Sequence, residues 1–451
     1  MRTTSVMLAA GQGTRMKSDL PKMLHPICGL PMVFHALSAA QAASTEKPVV
    51  VIGHGADAVR KVIESSADCV VQEQQLGTGH AVMQAESLLR GKTDYVLVTY
   101  GDMPLLRSET LVKLVTAQQA NTGPVTMLTV EYDNPRGFGR IVRNADGTVA
   151  AIVEESQATP EQLQIKELNV GAYCFSAEWL WDSLHNIKIS PKGEYFLTDT
   201  VELAVRAGLP VRAIKMDDFA ETIGVNTRVH LAEAEAAMRR RINEGHMLNG
   251  VTLIDPATTY IEAQVQIAGD TVIWPGTYLF GKTVIGKNCQ IGPNSHLRDT
   301  HIGNDCKVFM SVAESAILED HVEMGPFARL RKGAYLSEGV HMGNFGEVKD
   351  STLGRGVKMG HFSYIGNANI GAETNIGAGT ITCNYDGEKK HPTVIGENVF
   401  IGSDTMLVAP VTLGDGARTG AGSVVTKNVP ADTLVVGIPA RAIRKIGQKP
   451  V

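Results

Sequence analysis

The second half of the chain repeats an aliphatic residue at every sixth position. The first ladder contains Ile261, Ile267, Ile273, Leu279, Ile285, Ile291 and Leu297. After a one-residue slip, the spacing returns at Met324, Leu330, Leu336, Met342 and Val348, then at Leu353, Met359 and Ile365, and finally at Ile395, Ile401, Leu407 and Leu413. A period of six fits neither an α-helix nor a plain strand, and it predicts a parallel β-helix with one short strand per face. The aliphatic side chains should point inward, while glycine or another small residue beside them allows the corners to turn.

The first half shows a different pattern, which predicts an α/β domain with a mainly parallel sheet. Apolar runs at 5–8, 49–52 and 95–98 alternate with amphipathic stretches such as 32–43. Between the halves, a stretch rich in Ala, Glu and Arg has no Pro and keeps its apolar residues at helical spacing. We therefore predict three parts: a Rossmann-like α/β domain at 1–226, a linker helix at 227–248 and a β-helix domain at 249–451.

Composition agrees with two soluble domains. The 451 residues exceed what one core usually supports, and 43% apolar with 20% charged residues is ordinary for a soluble protein. A net charge of −5 gives no electrostatic reason to bind nucleic acid. No apolar run is long enough to span a bilayer and the N-terminus lacks a secretion-signal pattern, so we expect a cytoplasmic protein without a membrane partner. Six cysteines without a CxxC pair are typical of reduced, structural thiols.

The densest motif follows the first predicted strand and resembles a phosphate-binding turn. Gly11 and Gly13 let the backbone turn tightly and present N–H groups to an anion, while Arg15 and Lys22 can lie beside phosphate oxygens. The motif is neither a Walker A sequence nor the dinucleotide GxGxxG, because Met16 stands where the third glycine belongs. A glycine-rich turn by itself can equally be structural, so the added basic residues favour the phosphate-binding interpretation.

Two further groups follow predicted strands. Tyr100, Gly101 and Asp102 end the run 95–98, so Asp102 should lie at the carboxyl edge of the sheet, where its carboxylate can bind Mg²⁺. A turn or cap role is the structural alternative for Asp102. Gln72 offers an amide donor and acceptor that match a uracil edge, and the stretch 75–80 offers Gly and Thr. That stretch could also be a helix start that Thr78 caps.

The motif Leu8-x-x-Gly-x-Gly-Thr-Arg-Met, followed by Pro21-Lys22, resembles the signature of the sugar-1-phosphate nucleotidyltransferases. With hexapeptide repeats behind it, nearly the whole chain resembles the bifunctional bacterial family of N-acetylglucosamine-1-phosphate uridylyltransferases/glucosamine-1-phosphate N-acetyltransferases. The resemblance implies a left-handed β-helix and a homotrimer assembled through it. It also implies Mg²⁺ as cofactor, acetyl-coenzyme A as co-substrate, and UTP, glucosamine 1-phosphate and N-acetylglucosamine 1-phosphate as substrates.

By this resemblance, the α/β domain contains a uridylyl-transfer site. Arg15 and Lys22 would be catalytic, and Asp102 and Asn226 would bind Mg²⁺. The family positions that bind the uridylyl group or the N-acetylglucosamine moiety correspond to Leu8, Ala9, Gly11, Gly13, Gln72, Gly77, Thr78, Tyr100, Gly101, Gly139, Glu154, Asn169 and Asn226. Without the resemblance, Glu154 could equally be a surface carboxylate beside Glu155.

The β-helix domain contains one histidine that suits acid–base chemistry. His361 occupies a non-core hexad position, so its imidazole can face a groove and accept a proton from an amine, although a lone histidine is usually inert. The stretch 381–387 interrupts the hexads and predicts a surface loop. The resemblance implies that His361 is a general base, that Arg331, Lys349, Tyr364 and Asn375 bind the sugar phosphate, and that Asn384, Tyr385, Ser403 and Ala421 contact acetyl-coenzyme A.

The chain departs from the family pattern near its C-terminus. Ile438 replaces a basic residue that contacts coenzyme A in enterobacterial members, and Arg441 and Arg444 are the two candidates to substitute for it. Two alternatives to the bifunctional enzyme remain at this stage. One is a monofunctional sugar-1-phosphate nucleotidyltransferase with a structural β-helix, and the other is a non-catalytic regulatory subunit.

Overall fold

The computed structural model describes residues 1–135, 137–191 and 193–446. The chain divides into two units, Met1–Met238 and the part that begins at Arg239. This division falls inside the stretch predicted to be a linker helix. Within the described ranges, no helix has both the length and the hydropathy of a membrane span.

The first unit contains a nine-stranded sheet whose centre is parallel. Strand β1 pairs in parallel with β4 and β6, whereas β10 runs antiparallel to β6 and β7. All residues of β1 and β4 are buried, as expected for strands that are covered on both faces. The predicted α/β class is confirmed. The strands of this unit are β1 Thr3–Ala9, β2 Pro26–Ile27, β3 Leu30–Pro31, β4 Val49–Ile52, β5 Asp68–Val71, β6 Tyr95–Tyr100, β7 Val125–Glu131, β8 Arg140–Arg143, β9 Val149–Val153, β10 Glu167–Ser176 and β11 Val211–Met216.

The sheet order places the ends of the central strands together. Reading across the sheet, the order is β11-β7-β10-β6-β1-β4-β5, with β8 and β9 attached beside β10, while β2 and β3 form a separate ribbon. The carboxyl ends of β1, β4 and β6 therefore share one edge, which is where parallel α/β sheets bind ligands. The helices are α1 Met32–Ala42, α2 Ala56–Ile63, α3 Thr78–Met83, α4 Glu86–Leu89, α5 Ser108–Gln119, α6 Ala177–Leu184, α7 Asp199–Arg206 and α8 Arg228–Leu248.

The second unit is a parallel β-helix. From β12 to β37, each strand pairs in parallel with the strand three places later, which forms three sheets. At the end of one sheet β39 pairs in parallel with β41, and β42 runs antiparallel to β41. The strands are β12 Thr252–Leu253, β13 Tyr260–Ile261, β14 Gln266–Ile267, β15 Val272–Ile273, β16 Tyr278–Phe280, β17 Val284–Ile285, β18 Gln290–Ile291, β19 His296–Arg298, β20 His301–Ile302, β21 Lys307–Val308, β22 Val312–Glu314, β23 Ile317–Leu318, β24 Glu323–Met324, β25 Arg329–Leu330, β26 Ala334–Leu336, β27 His341–Met342, β28 Gly346–Lys349, β29 Ser351–Leu353, β30 Lys358–Met359, β31 Ser363–Gly366, β32 Ala368–Ile370, β33 Asn375–Ile376, β34 Ile381–Cys383, β35 Thr393–Ile395, β36 Phe400–Ile401, β37 Met406–Val408, β38 Val411–Leu413, β39 Arg418–Thr419, β40 Val424–Val425, β41 Thr433–Val436 and β42 Arg441–Lys445.

The predicted aliphatic ladders form the interior of this β-helix. Every ladder residue is buried except Ile267, which is partly buried against the same core. The core also continues through the break in the sequence pattern, where Ile302, Val308, Ala313 and Leu318 are buried. Sequence analysis missed these four because steps of five and six residues are mixed there without a regular period.

The five-residue steps have a common backbone feature. Each contains a non-glycine residue with positive φ at the corner, a conformation that also occurs in six-residue steps, for example at Asp270 and Asp305. These residues are Asp299, Met310, Ser315, Asp350 and Asn367. Buried hydroxyls complete other corners, because Thr277 and Thr283 each donate to a corner carbonyl at 2.7 Å. The corner backbone is thus hydrogen-bonded even where it is buried.

Two adjacent residues of β23 allow a test of the predicted inward orientation of the ladder residues. Leu318 points into the core with 0% exposure, whereas Ile317 points outward with 43% exposure. We expect Leu318→Ala to lower the free energy of unfolding of the β-helix by about 2–5 kcal/mol, because it leaves a cavity. Ile317→Ala should cost under about 1 kcal/mol. Denaturant unfolding of the full chain measures both, and equal effects would contradict the inward orientation.

Candidate active sites

The glycine-rich turn after β1 depends on one glycine in particular. Gly13 has a φ of 65°, a backbone conformation that favours glycine. A Cβ on Gly13 would also lie 2.8 Å from the Cβ of Lys22, closer than carbon atoms normally approach. A Cβ on Gly11 would meet no atom of the chain within 4 Å, and Arg15 is exposed on the 3₁₀ helix Thr14–Met16. The turn therefore packs directly against Lys22, while its outer side stays open.

Three predicted residues meet at the carboxyl edge of the sheet. The Lys22 ammonium donates to Asp102 Oδ2 at 2.6 Å and to Asn226 Oδ1 at 3.1 Å. The Val225 amide donates to the Asp102 carbonyl at 2.8 Å, which ties the segment before α8 to the end of β6. The Lys22 and Asp102 side chains are only 8% and 18% exposed, so their ion pair is largely shielded from water. Asp102 thus pairs with a cation and is not a simple turn residue.

The same two oxygens suit a magnesium ion. Because Asp102 and Asn226 both bond one nitrogen, their oxygen atoms lie around a common point. Carboxylate and amide oxygens are ligands that Mg²⁺ accepts, and it usually takes one or two carboxylates together with phosphate and water. In the described ranges, no group of three or more His, Cys, Asp or Glu side chains could hold a metal ion. A site with two protein oxygens fits an ion whose other ligands come from substrate and water.

A cavity of about 360 Å³ opens beside these residues. Its walls contain many of the residues predicted for the uridylyl site, namely Leu8, Gly11, Lys22, Gln72, Gly77, Thr78, Tyr100 and Asp102. Ala9 and Gly101 lie behind the wall. Ala9 is buried in the core, and a Cβ on Gly101 would lie 3.1 Å from Met23 Sδ. These two residues shape the site through packing.

Gln72 is held in one orientation at the cavity wall. Its Nε2 donates to the Gly77 carbonyl at 3.1 Å and lies 3.0 Å from His80 Nδ1. Since a carbonyl can only accept, the amide nitrogen must face Gly77, and the amide oxygen remains as an acceptor. Thr78 does not cap α3, because the helix begins at Thr78 itself and its hydroxyl instead accepts from the Leu197 amide at 3.0 Å. The capping alternative is therefore wrong.

A second cavity of about 300 Å³ shares Thr78, Tyr100 and Asp102 with the first. Predicted residues Gly139, Glu154, Asn169 and Asn226 line it. Burial raises the pKa of Glu154, although a hydrogen bond from the Thr198 hydroxyl at 3.2 Å opposes the shift. Burial and the nearby carboxylates of Asp102 and Glu154 raise the pKa of Tyr100, so its phenol stays protonated. Glu154 is thus part of a pocket and not a solvated surface residue.

Sequence analysis missed several residues of this second cavity. Phe196 and Thr198 lie between α6 and α7, and no motif marks them. Tyr173 on β10 is fully buried and hydrogen-bonds the Asn169 amide at 2.7 Å, which positions that side chain. The alternating pattern of β10 could have shown that Asn169 and Tyr173 lie on one face, but not that they face Glu154.

In the β-helix unit, one corner brings three predicted residues into line. Gly360, Gly377, Gly402 and Gly420 occupy equivalent positions in successive coils at this corner. The residue after each glycine occupies the same corner position, so His361, Ser403 and Ala421 lie along one edge. All three are exposed. Ser403 is a corner residue, and it lies at the same corner as His361.

Two further predicted residues meet on the neighbouring face. A Cβ on Gly366 would collide with Tyr364 Oη and would lie 2.8 Å from Asn384 Nδ2, so phenol and amide lie over the same backbone. Asn384 also donates to Asn367 Oδ1 at 2.7 Å and is only 6% exposed. Asn375 pairs with Lys358 at the start of β33, and the Tyr385 hydroxyl donates to the Gly387 carbonyl at 2.6 Å. The structure therefore joins Tyr364 with Asn384, while Asn375 lies on another face.

A cluster of cations includes one that sequence analysis missed. The loop after Asn384 leaves the coil and closes on itself, with Asp386 Oδ2 and His391 Nε2 2.5 Å apart. It brings Lys390 beside Lys349, whose hydrogen bond and positive charge lower the pKa of Lys390. The positive charge of Arg331 also lowers the pKa of Lys390, and Arg331 pairs with Glu347 at 2.9 Å. Lys389 and Lys390 were visible in the loop, but only the folded loop shows which one reaches Lys349.

Comparison with known proteins identifies the family of this chain. Residues 4–234 match the family profile "Nucleotidyl transferase", while 282–312 match "Hexapeptide repeat of succinyl-transferase" and 392–427 match "Bacterial transferase hexapeptide (six repeats)". The "Bifunctional protein GlmU" of Geobacillus sp. (strain WCH70) is 48% identical over 442 residues, which cover 98% of this chain and 96% of that protein. This chain belongs to the GlmU family. The "Bifunctional protein GlmU" of Lactobacillus delbrueckii subsp. bulgaricus is 47% identical, over 94% of this chain and 92% of that protein.

Membership of the GlmU family leaves one departure to explain. Ile438, which stands at the expected coenzyme A contact, is 78% exposed. The two basic candidates lie just beyond it on β42, where Arg441 pairs with Val436 and Arg444 with Leu434. Both are exposed. Arg441 and Arg444 therefore both remain predicted coenzyme A contacts in this GlmU family member.

Proposed function

We propose that this chain makes UDP-N-acetylglucosamine in two consecutive reactions. The β-helix unit acetylates glucosamine 1-phosphate, and the α/β unit transfers a uridylyl group from UTP to the product. The observation that carries the proposal is the convergence of Lys22, Asp102 and Asn226 beside two joined cavities. One cavity offers a base-binding amide and the other a polar pocket of sugar size, which matches a donor and an acceptor that meet at a phosphate.

Uridylyl transfer is an in-line displacement. A phosphate oxygen of N-acetylglucosamine 1-phosphate bonds to the α-phosphorus of UTP, and the bond from that phosphorus to pyrophosphate breaks. Lys22 and Arg15 stabilise the phosphate charge, and the open backbone of the turn at Gly11 accepts the phosphates. Mg²⁺ bound by Asp102 and Asn226 would offset charge on the departing pyrophosphate.

The two cavities select the substrates. The free amide oxygen of Gln72 can accept from uracil N3–H, a donor that cytosine lacks at this position. Glu154, Asn169 and the backbone at Gly139 bind the sugar and its acetamido group. The protonated phenol of Tyr100 lies between the cavities and can donate to either substrate.

Acetyl transfer takes place at the corner of the β-helix. His361 accepts a proton from the amine of glucosamine 1-phosphate, the amine nitrogen bonds to the thioester carbonyl carbon, and coenzyme A leaves as its thiol. Arg331, Lys349 and Lys390 bind the phosphate, while Tyr364 and Asn384 orient the sugar and the acetyl group. Asn375, which lies on another face of the coil, remains a predicted sugar contact. Acetyl-coenzyme A runs along the edge marked by Ser403 and Ala421, near Tyr385.

The bifunctional enzyme accounts for more of the structure than its alternatives do. A monofunctional nucleotidyltransferase leaves the exposed His361 and the three cations without a role. A regulatory subunit leaves the shielded Lys22–Asp102 pair without a role. The two reactions also connect chemically, because the acetylated product is the sugar substrate of the α/β unit. A cytoplasmic location remains a prediction.

We expect Lys22→Ala to lower kcat for uridylyl transfer by about 10²-fold or more, because it removes a preorganised charge. Steady-state kinetics with UTP, N-acetylglucosamine 1-phosphate and Mg²⁺ measure the change. Lys113→Ala, which removes an exposed lysine of α5, is the matched control and should leave kcat unchanged. An unchanged kcat in Lys22→Ala would exclude the proposed role.

One incubation tests both reactions. The chain is mixed with glucosamine 1-phosphate, acetyl-coenzyme A, UTP and Mg²⁺, and UDP-N-acetylglucosamine is measured. His361→Ala should lose the product from this mixture yet still consume added N-acetylglucosamine 1-phosphate, because only the acetyl-transfer base is removed. His341→Ala, which removes another exposed β-helix histidine, should keep both reactions. Thiol release without His361 would contradict the general-base role.

The β-helix is expected to assemble as a homotrimer. Phe327, Phe345 and Phe362 follow one another in successive coils, are 55–60% exposed, and the first two rings stack with centroids 5.4 Å apart. Such a row of exposed rings favours burial against another subunit. Light scattering at micromolar concentration should give three times the mass of one chain. A single-chain mass would contradict the assembly.

A further inference from the structure

The beginning of α8 contacts the segment that contains Lys22. Arg228 is the first residue of this helix, and its Nε donates to the Met16 carbonyl at 3.3 Å. Its Nη1 lies 3.2 Å from His25 Nδ1. One guanidinium therefore joins the end of the glycine-rich turn to the residue that follows the Lys22 helical turn.

The bond to His25 has a defined direction. Arginine can only donate, so His25 Nδ1 must be the acceptor and its ring proton must be on Nε2. His25 is 2% exposed, and burial, together with the Arg228 charge, lowers the pKa of His25. The imidazole therefore stays neutral and available to Arg228 near neutral pH.

A second side chain of α8 holds the other end of the segment. Glu235 Oε2 accepts from the Cys28 amide at 2.7 Å, and Glu235 Oε1 lies 3.5 Å from Cys28 Sγ. Cys28 has a φ of 43°, so the backbone turns sharply at this contact. Arg228 and Glu235 are seven residues apart, which places them on one face of the helix.

Lys22 lies between these two anchors. The segment 16–28 is bonded to α8 at Met16, His25 and Cys28, and the Lys22 helical turn is closed by hydrogen bonds from Leu24 to Pro21 and from His25 to Lys22. Asn226, which accepts from the Lys22 ammonium, is two residues before Arg228. The stretch 226–228 thus supplies a hydrogen-bond acceptor for the Lys22 ammonium and a side chain that holds the backbone segment containing Lys22.

We propose that Arg228 is a positioning residue for uridylyl transfer, and that Glu235 supports it from the next turns of α8. Arg228 touches neither cavity wall and acts through the placement of Lys22 and of the turn that contains Arg15. This inference rests on the proposed uridylyl transfer. Because a small displacement of a preorganised charge affects the transition state most, the loss should appear in kcat more than in KM.

We expect Arg228→Ala to lower kcat for uridylyl transfer by about 10–100-fold, while KM for both substrates changes by less than about threefold. Millimolar guanidinium should restore part of kcat in Arg228→Ala, since it can occupy the vacated position, and it should not raise kcat of Lys22→Ala. Arg228→Lys keeps the charge but loses the planar pair of donors, so its kcat should be intermediate.

Arg212→Ala is the matched control, because Arg212 also donates to a backbone carbonyl, that of Ala117 at 3.3 Å, but lies on the edge strand β11. It should keep kcat. Wild-type kcat in both Arg228 variants would overturn the positioning role. The role would also be overturned if kcat falls in Arg228→Ala, guanidinium does not restore it, and the unfolding temperature of the variant is lowered. Absence of uridylyl transfer in the unaltered chain would instead overturn the proposed function.

Discussion

The proposed uridylyl site depends on the ion pair between Lys22 and Asp102, which Asn226 completes. Three segments that are distant along the chain must come within hydrogen-bond distance for it to form. Each segment has its own support: Gly13 packs on Lys22, Asp102 follows the end of β6 by two residues, and the Val225 amide donates to the Asp102 carbonyl. Because the pair is shielded from water, removing one partner would leave the other charge buried and unpaired. The same ion pair therefore matters both for the local structure and for the proposed phosphate chemistry.

The β-helix achieves its site differently. Its interior needs aliphatic residues at regular steps, so the outward-facing strand positions are free to vary without loss of the core. Regular coils also place equivalent corner positions above one another, which aligns His361, Ser403 and Ala421. The loop after Asn384 then adds what a regular coil cannot, namely a lysine directed back at Lys349. A repetitive scaffold with one irregular loop is sufficient to build a polar site.

Both units use backbone features at the points where side chains must approach. Gly13 avoids a collision with Lys22, and Gly366 leaves room for Tyr364 and Asn384. Gln72 is oriented by the Gly77 carbonyl, and Asn169 by Tyr173. In each case a neighbouring group that does not itself react determines where a polar side chain points. Such support is what allows a site to stabilise charge without reorganising during the reaction.

The sequence alone determined the two fold classes and the inward ladders, and it predicted the candidate site residues. Hydrophobic period reports which face of an element is buried, and dense motifs such as the one from Leu8 to Lys22 are local. It did not show which steps have five residues, because corner residues with positive φ occur in both kinds of step, for example Asp299 in a five-residue step and Asp305 in a six-residue step. Only the tertiary structure decided that Thr78 accepts a hydrogen bond and does not cap α3, that Lys390 reaches Lys349, and that Arg228 bonds His25. These contacts join residues far apart in the chain, and their geometry exists only once both segments have packed.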